Sequence, residues 1–337
     1  MKLADTLVLM TQQSTGGIGD ATPSVGPDEQ DEFRYLTSDA ARVGRQAPLP
    51  RVRRVEAPVS DGRSVSALSY GSTPPAGDTD ADTVAPQYVF LHGMGLNAHG
   101  FDPVVLALDA PAVALDLPGH GRSDWREDAN YRPDLLAADV LMALEQLAPE
   151  PFVLVGHSLG GLVAAIAAPI LGARLRGLVI VDITPGVSPQ GDAVAIGDFI
   201  SGQRDFATQA EMVDRAVAYG IGEDRAALAR GVAFNARQRP DGRWEWTHHF
   251  AHMDAAPMDG MGAGTPFAPI WAPLEAVQRG GTSVSLVRGS DGLIGPGLLA
   301  EWRTRLPGSE VVTVAGPHNV HEASPGELAS AILVLSR

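Results

Sequence analysis

Ser158 stands in Gly156-His157-Ser158-Leu159-Gly160, a G-x-S-x-G pentapeptide. The apolar run Phe152 to Val155 ends one residue before it, and an Ala-rich, helix-forming stretch follows. A serine hydroxyl in such a strand-turn-helix setting can attack an acyl carbonyl, provided a sharp turn pushes it into a cleft. Such a turn strains the backbone at the serine and leaves no room for side chains on its neighbours, which accounts for the flanking glycines. The helix that starts after Ser158 points its unpaired N–H groups and positive dipole end at the same place, so the Leu159 amide is a candidate donor to a developing oxyanion. Leu91-His92-Gly93-Met94-Gly95 follows another apolar run and supplies a second candidate, the Met94 amide. Because a serine hydroxyl is a weak nucleophile near neutral pH, it needs a histidine base, itself held by a carboxylate. Asp291, in Arg288-Gly289-Ser290-Asp291-Gly292, and His318, in Gly316-Pro317-His318-Asn319, each follow a β-rich run, and the order Ser, Asp, His suits this kind of elbow.

Elements that could carry these residues to one rim are visible in the apolar pattern. Short β-rich runs occur at Val55 to Val59, Val65 to Tyr70 and Tyr88 to Leu91, with an exposed loop expected over Ser72 to Pro86. Strand and helix then alternate: Ala112 to Leu115, helix Asp134 to Leu147, Phe152 to Val155, helix Leu159 to Leu171, and Leu178 to Val181. Nearly continuous apolar strands separated by helices require a mostly parallel central sheet covered on both faces, an α/β fold. The alternation breaks over residues 184–272, where helical patterns (Glu211 to Tyr219, Asp224 to Ala236) precede an aromatic and His-rich stretch and then Gly, Pro and Met. It resumes with Ser283 to Val287, a helix near Gly297 to Arg305, Val311 to Ala315 and a last helix from Pro325 to Leu335. We therefore expect a core over residues 51–183 and 273–337, with residues 184–272 as an inserted cap or lid of the kind that commonly binds substrate.

Residues 1–50, rich in Gly, Pro, Ser, Thr and acids, carry too few large apolar side chains to offset ordering entropy and read as a flexible tail. The 337 residues are 45% hydrophobic and 19% charged, enough for one large buried core. A net charge of −15, with no basic cluster, disfavours nucleic acid and anionic membranes as partners and leaves a small molecule as the expected one. With no cysteine, disulfides, thiolate zinc sites and cysteine nucleophiles are excluded. Neither a membrane span nor a secretory leader is evident, which suggests a cytoplasmic protein, and nothing in the pattern speaks to oligomeric state.

Five segments, in order, make the chain from about residue 50 onward resemble the α/β-hydrolase superfamily. They are His92-Gly93-Met94-Gly95, Asp116-Leu117-Pro118-Gly119-His120-Gly121-Arg122-Ser123, Gly156-His157-Ser158-Leu159-Gly160-Gly161, Arg288-Gly289-Ser290-Asp291 and Gly316-Pro317-His318-Asn319-Val320-His321-Glu322. The resemblance implies Ser158 as nucleophile, His318 as base, Asp291 as acid, the Met94 and Leu159 amides as oxyanion hole, and a helical cap between the sixth and seventh strands. Some relatives carry the acid after the sixth strand, which makes Asp182 the alternative here. Pro317 departs from the usual glycine and stiffens the loop before His318.

Other residues have plainer readings. His92 and His120 read as structural, His321 as packed or solvent-facing and the fallback base, and Ser158 itself could be a mere helix cap. His248 and His252 have a metal-ligand spacing, with Asp254 nearby, yet no acid stands between them, and no metal site is assigned. No G-x-G-x-x-G or G-x-x-x-x-G-K-[ST] occurs, so no cofactor is expected. His157, Trp244, Trp246, His249 and Trp271 are candidates for the substrate wall. The reading is a serine hydrolase acting on a small to medium, largely apolar ester or lactone through an acyl-enzyme. A C–C bond hydrolase acting on a vinylogous diketone and a non-catalytic ligand receptor are the alternatives.

Overall fold

A computed structural model describes residues 32–71, 84–188, 192–253 and 265–337. Ten strands run β1 (Val52–Pro58), β2 (Ser64–Tyr70), β3 (Tyr88–Leu91), β4 (Ala112–Leu115), β5 (Phe152–His157), β6 (Leu175–Val181), β7 (Ala236–Gln238), β8 (Trp244–Trp246), β9 (Ser283–Asp291) and β10 (Val311–Pro317). The helices are α1 (Leu36–Arg42), α2 (Asp102–Leu108), α3 (Pro133–Leu147), α4 (Leu159–Leu171), α5 (Asp192–Ser201), α6 (Gln209–Ala218), α7 (Arg225–Asn235), α8 (Trp271–Arg279), α9 (Pro296–Arg305), α10 (Val320–Ala323) and α11 (Pro325–Leu335).

Eight strands form one sheet in the order β1-β2-β4-β3-β5-β6-β9-β10. β1 and β2 pair antiparallel, β2 runs antiparallel to β4, and every later pairing is parallel. Because β3, β4 and β5 are buried at every position, their unbroken apolar runs are what two covered faces demand. Leu136 and Val140 of α3, Leu162 of α4, Trp271 of α8 and Trp302 of α9 fill one face; Val104 of α2 and Leu328 and Ile332 of α11 fill the other. The fold is the mostly parallel, doubly covered α/β sheet expected, and no helix of the described residues is long and apolar enough to cross a membrane.

Between β6 and β9 lie α5, α6, α7, the β7–β8 hairpin and α8. Phe206, Met212, Val213, Leu228, Val232 and Trp246 form a separate apolar cluster in this stretch, while Trp271 of α8 packs into the main core against Trp302. The hairpin turn is Arg239-Pro240-Asp241-Gly242, with Gly242 at φ +82. That sequence has the proline, Asx and glycine chemistry of a turn, and the strands on either side of it are an addition to the helical reading of this region.

One expectation needs correction. The tail does not extend to residue 50: from Glu32 onward the chain is docked. The Glu32 carboxylate accepts from Arg54, Leu36 and Ala40 pack against Leu106, and Asp39 of α1 lies 2.6 Å from Arg230 of α7. The acidic residues Glu32 and Asp39 have cationic partners distant in sequence, and the pairing compensates their desolvation. Residues 1–31, most of the expected loop over 72–86, and Asp254 lie outside the described residues.

Candidate active site

Ser158 sits between β5 and α4 at φ 52°, ψ −121°, a conformation non-glycine residues rarely hold and one that costs about 1–3 kcal/mol. The surroundings fix it. Its N–H donates to Val181 O at 3.1 Å, at the end of β6, and the Gly160 N–H donates to His92 O at 3.1 Å. A Cβ on Gly156 would lie 2.4 Å from Gly160 O, and one on Gly160 would lie 2.2 Å from Leu91 O. The glycines on either side of the serine are thus dictated by a close approach of backbone to backbone.

Asp182 follows β6 directly, with no exposed surface and a φ of +48°. Its own N–H donates to Val287 O at 2.8 Å, while its carboxylate accepts from the Gly289 N–H (2.9 Å), the Leu293 N–H (2.8 Å) and His318 Nδ1 (2.8 Å). The carboxylate paired with His318 is therefore Asp182, and the assignment of Asp291 is corrected. Asp291 ends β9, is exposed, and accepts from the Ser290 hydroxyl at 2.7 Å. Gly292 explains how Asp182 reaches past it: a Cβ there would stand 2.2 Å from Asp182 Oδ2.

With the Nδ1 proton of His318 directed at Asp182, Nε2 is left as the acceptor. His318 O in turn accepts from His157 Nε2 at 3.0 Å, which ties the loop after β10 to the end of β5. Burial, reinforced by His321 and His318, pushes His157 well below the ordinary imidazole range, so it remains neutral. His321 is fully enclosed, and burial holds it down at about 3.

The loop after β3 is clamped from both sides by imidazoles. His92 Nδ1–H donates to Gly93 O at 2.7 Å while its Nε2 accepts from the Leu117 N–H at 2.9 Å. His120 Nε2 accepts from the Gly95 N–H at 3.0 Å, and its Nδ1 reaches Pro118 O at 3.2 Å. These bonds need a neutral ring with one donor and one acceptor nitrogen, and burial lowers both histidines accordingly. Between the clamped residues, the Met94 N–H donates to no backbone group among the described residues, and neither does the Leu159 N–H.

A cavity of about 330 Å³ opens over these groups, with Ser158, His318 and residues 93–96 on one side and Phe199, Tyr219, Ile221, Trp246 and His248 on the other. Of the five candidates for the substrate wall, His157 and Trp246 line it. The other three are placed elsewhere. Trp244 pairs with Gln238 and bridges to Phe206, His249 stacks on Trp125 at 4.2 Å and bonds the Tyr131 hydroxyl at 2.6 Å, and Trp271 is buried at 1% exposure in the core. Each has its aromatic face taken by packing. Phe199, Tyr219, Ile221 and His248 were not anticipated on the wall. In α5 and the segments after α6, a helical stripe of apolar residues gives no sign of which side faces a cavity and which faces the insertion's own core.

The sequence pattern of the alpha/beta hydrolase family matches residues 88–331. Esterase Rv0045c of Mycobacterium tuberculosis is 34% identical over 310 residues, 88% of this chain and 93% of that protein. A solved structure of that esterase aligns with a TM-score of 0.72 at 32% identity, covering 93% of this chain and all of the other. A pimeloyl-[acyl-carrier protein] methyl ester esterase of Pectobacterium atrosepticum is 40% identical over 132 residues, 37% of this chain and 45% of that protein. Strained serine, sheet order and sequence likeness over most of the chain lead to one statement: this chain belongs to the alpha/beta hydrolase family and is a hydrolase.

Proposed function

We propose that the chain hydrolyses small carboxylic esters through an acyl-enzyme on Ser158, with His318 as the base and Asp182 as the carboxylate that orients it. In this reading His318 Nε2 takes the Ser158 proton as the hydroxyl attacks the ester carbonyl, and returns it to the departing alcohol. Asp182 holds the Nδ1 tautomer and stabilises the imidazolium formed in between. The Met94 and Leu159 amides receive the oxyanion, and water then releases the acid by the reverse sequence. The reading is carried by the 2.8 Å bond from His318 Nδ1 to a fully enclosed Asp182, beside a serine at φ 52° on the same cavity. A cavity of about 330 Å³ is at the small end for ligand sites, and its Phe199, Ile221 and Trp246 walls favour an apolar acyl part.

The test combines labelling and turnover. A fluorophosphonate probe is expected to label Ser158 in the folded protein, and p-nitrophenyl butyrate hydrolysis is expected to disappear in Ser158→Ala. Absence of both would turn the assignment to a ligand receptor on the same fold. Labelling together with turnover confined to a vinylogous diketone would make the reaction a C–C hydrolysis.

A further inference from the structure

Trp246 and His248 stand side by side on the cavity wall, their rings stacked 6.0 Å apart at 21°. Both are more than nine-tenths buried, at 4% and 2% exposure. The Trp246 Nε1–H has no acceptor among the described residues. His248 Nδ1 accepts from the Ala251 N–H, so a neutral ring carries its proton on Nε2. Burial, helped by His252 and His249, holds His248 down at about 3, so the ring stays neutral at any pH at which the protein would work. No partner for that Nε2–H is found among the described residues. The Trp246 Nε1–H is enclosed by protein, which leaves the His248 Nε2–H as the donor on a stretch of cavity wall shared with the apolar Phe199 and Ile221. Buried donors are rarely left unpaired, since each costs about 1–3 kcal/mol, and the natural remedy in a ligand cavity is an acceptor on the ligand.

The charge of that acceptor can be read as well. Among the described residues no Lys or Arg lines the cavity, whereas Asp291 does. An anionic group would meet a carboxylate and find no cation, and a neutral imidazole cannot supply one.

Resting on the assignment of Ser158 as nucleophile, we propose that His248, held in place by the stacked Trp246 ring, forms a polar subsite for an uncharged oxygen acceptor of the substrate, a keto, ether or second ester oxygen set away from the scissile carbonyl. The enzyme then prefers oxygen-bearing acyl esters over plain alkyl ones of the same length, and discriminates against those ending in a carboxylate.

The experiment compares kcat/KM for p-nitrophenyl hexanoate with 5-oxohexanoate, for heptanoate with 6-oxoheptanoate, and for the monoanionic p-nitrophenyl adipate, in the wild type, Trp246→Phe, His248→Asn and the double variant. Asparagine keeps a side-chain acceptor for the Ala251 N–H while removing the ring N–H, so a change there does not merely report loss of the turn. The readout is the ratio of oxo to alkyl substrate within each protein, which is insensitive to a general loss of active enzyme. The wild-type ratio is expected at about tenfold for at least one oxo ester, the size of one net hydrogen bond, with adipate below hexanoate. It is expected to fall to within about twofold of unity when both substitutions are combined. A wild-type ratio near one for both oxo esters, a ratio that survives the double substitution, or a preference for adipate would overturn the subsite. Fluorophosphonate labelling in the same preparations separates the two ideas: labelled protein without the preference refutes the subsite alone, whereas unlabelled protein refutes the nucleophile on which it rests.

Discussion

Replacing Asp182 by Asn should nearly abolish ester hydrolysis, while the same change at Asp291 should not. Oδ2 of Asp182 accepts from both His318 Nδ1 and the Leu293 N–H, and Oδ1 accepts from the Gly289 N–H. An amide in this fully enclosed site has one acceptor and one donor end, so it must oppose an N–H somewhere. If its NH2 takes the Oδ2 position, it faces two donors and selects the His318 tautomer with Nε2 protonated, which cannot accept the Ser158 proton. If its oxygen stays there, the NH2 opposes the Gly289 N–H and the imidazolium loses its counter-charge. Either arrangement predicts a fall in kcat of about 10³ to 10⁴, the range for such an exchange in serine hydrolases generally, or about 4–5.5 kcal/mol of barrier. A mismatched donor adds about 1–3 kcal/mol of lost stability. Asp291 is exposed and, among the described residues, its side chain accepts only from its neighbour Ser290, so Asp291→Asn should change kcat/KM by no more than about threefold. The assay is p-nitrophenyl butyrate hydrolysis, with circular dichroism to confirm folding at the assay temperature. If Asp182→Asn kept more than a tenth of the activity while Asp291→Asn lost a hundredfold, the assignment from geometry would be wrong.

Further expectations rest on the supports of the site. His120→Phe removes the acceptor of the Gly95 N–H and should lower kcat about 10- to 100-fold with little change in KM, because the Met94 amide matters most when charge develops on the substrate oxygen; steady-state kinetics will tell. Gly292→Ala puts a Cβ 2.2 Å from Asp182 Oδ2 and should reduce activity by displacing that carboxylate, an effect a plain thermal melt would understate. Arg230→Ala leaves the buried Asp39 and Asp102 carboxylates without their guanidinium and should cost about 3–5 kcal/mol in a urea titration. Acid lability follows from the histidines: burial lowers His92, His120, His157, His248 and His321 in the fold, the last two to about 3, while the unfolded chain protonates each near 6.5. Their contribution is present above about pH 6.5 and is lost below it. At His99 burial is outweighed by Asp102 and the pKa is raised, so its contribution has the opposite sign and persists in acid. His248 and His321, both held at about 3, alone remove about 3 kcal/mol between pH 7.5 and 5.5, and a urea midpoint flat over that range would contradict it.

What could be read in advance divides along physical lines. Ser158, His318 and the Met94 and Leu159 amides sit in turns whose glycines report backbone crowding, and crowding of that kind leaves a local trace. The sequence ranks Asp291 ahead of Asp182, yet both follow an apolar strand and precede His318, so nothing local to either residue separates them. What separates them is the φ of +48° at Asp182 and the two N–H groups arriving from residues 289 and 293, all set by packing of β6 against β9. The ordering of Glu32 and Asp39 was hidden in the same way, since the partners Arg54 and Arg230 are 22 and 191 residues away. The β7–β8 hairpin is legible: Pro240-Asp241-Gly242 between two β-capable runs is a turn signal, masked by the helical period before it and the aromatic, His-rich composition after it.

The backbone bonds that meet at the strand ends explain why the chemistry and the specificity leave such different traces. Ser158 N–H to Val181 O, Asp182 N–H to Val287 O, Gly160 N–H to His92 O and Gly95 N–H to His120 Nε2 join the strand ends and their loops to one another, so Ser158, Asp182 and residues 93–96 cannot shift independently. A side chain added at Gly160 or Gly292 collides with a partner loop, and the motifs are accordingly confined to one spelling. Across the cavity, Phe199, Ile221, Trp246 and His248 stand on a stretch with its own small core, joined to the sheet largely through side chains such as Arg230 on Asp39 and Asn97 on Asn235. Such contacts tolerate exchange of one apolar residue for another. The inserted stretch is therefore free to vary the substrate without disturbing the reacting groups, and for the same reason its pattern reveals little of what that substrate is.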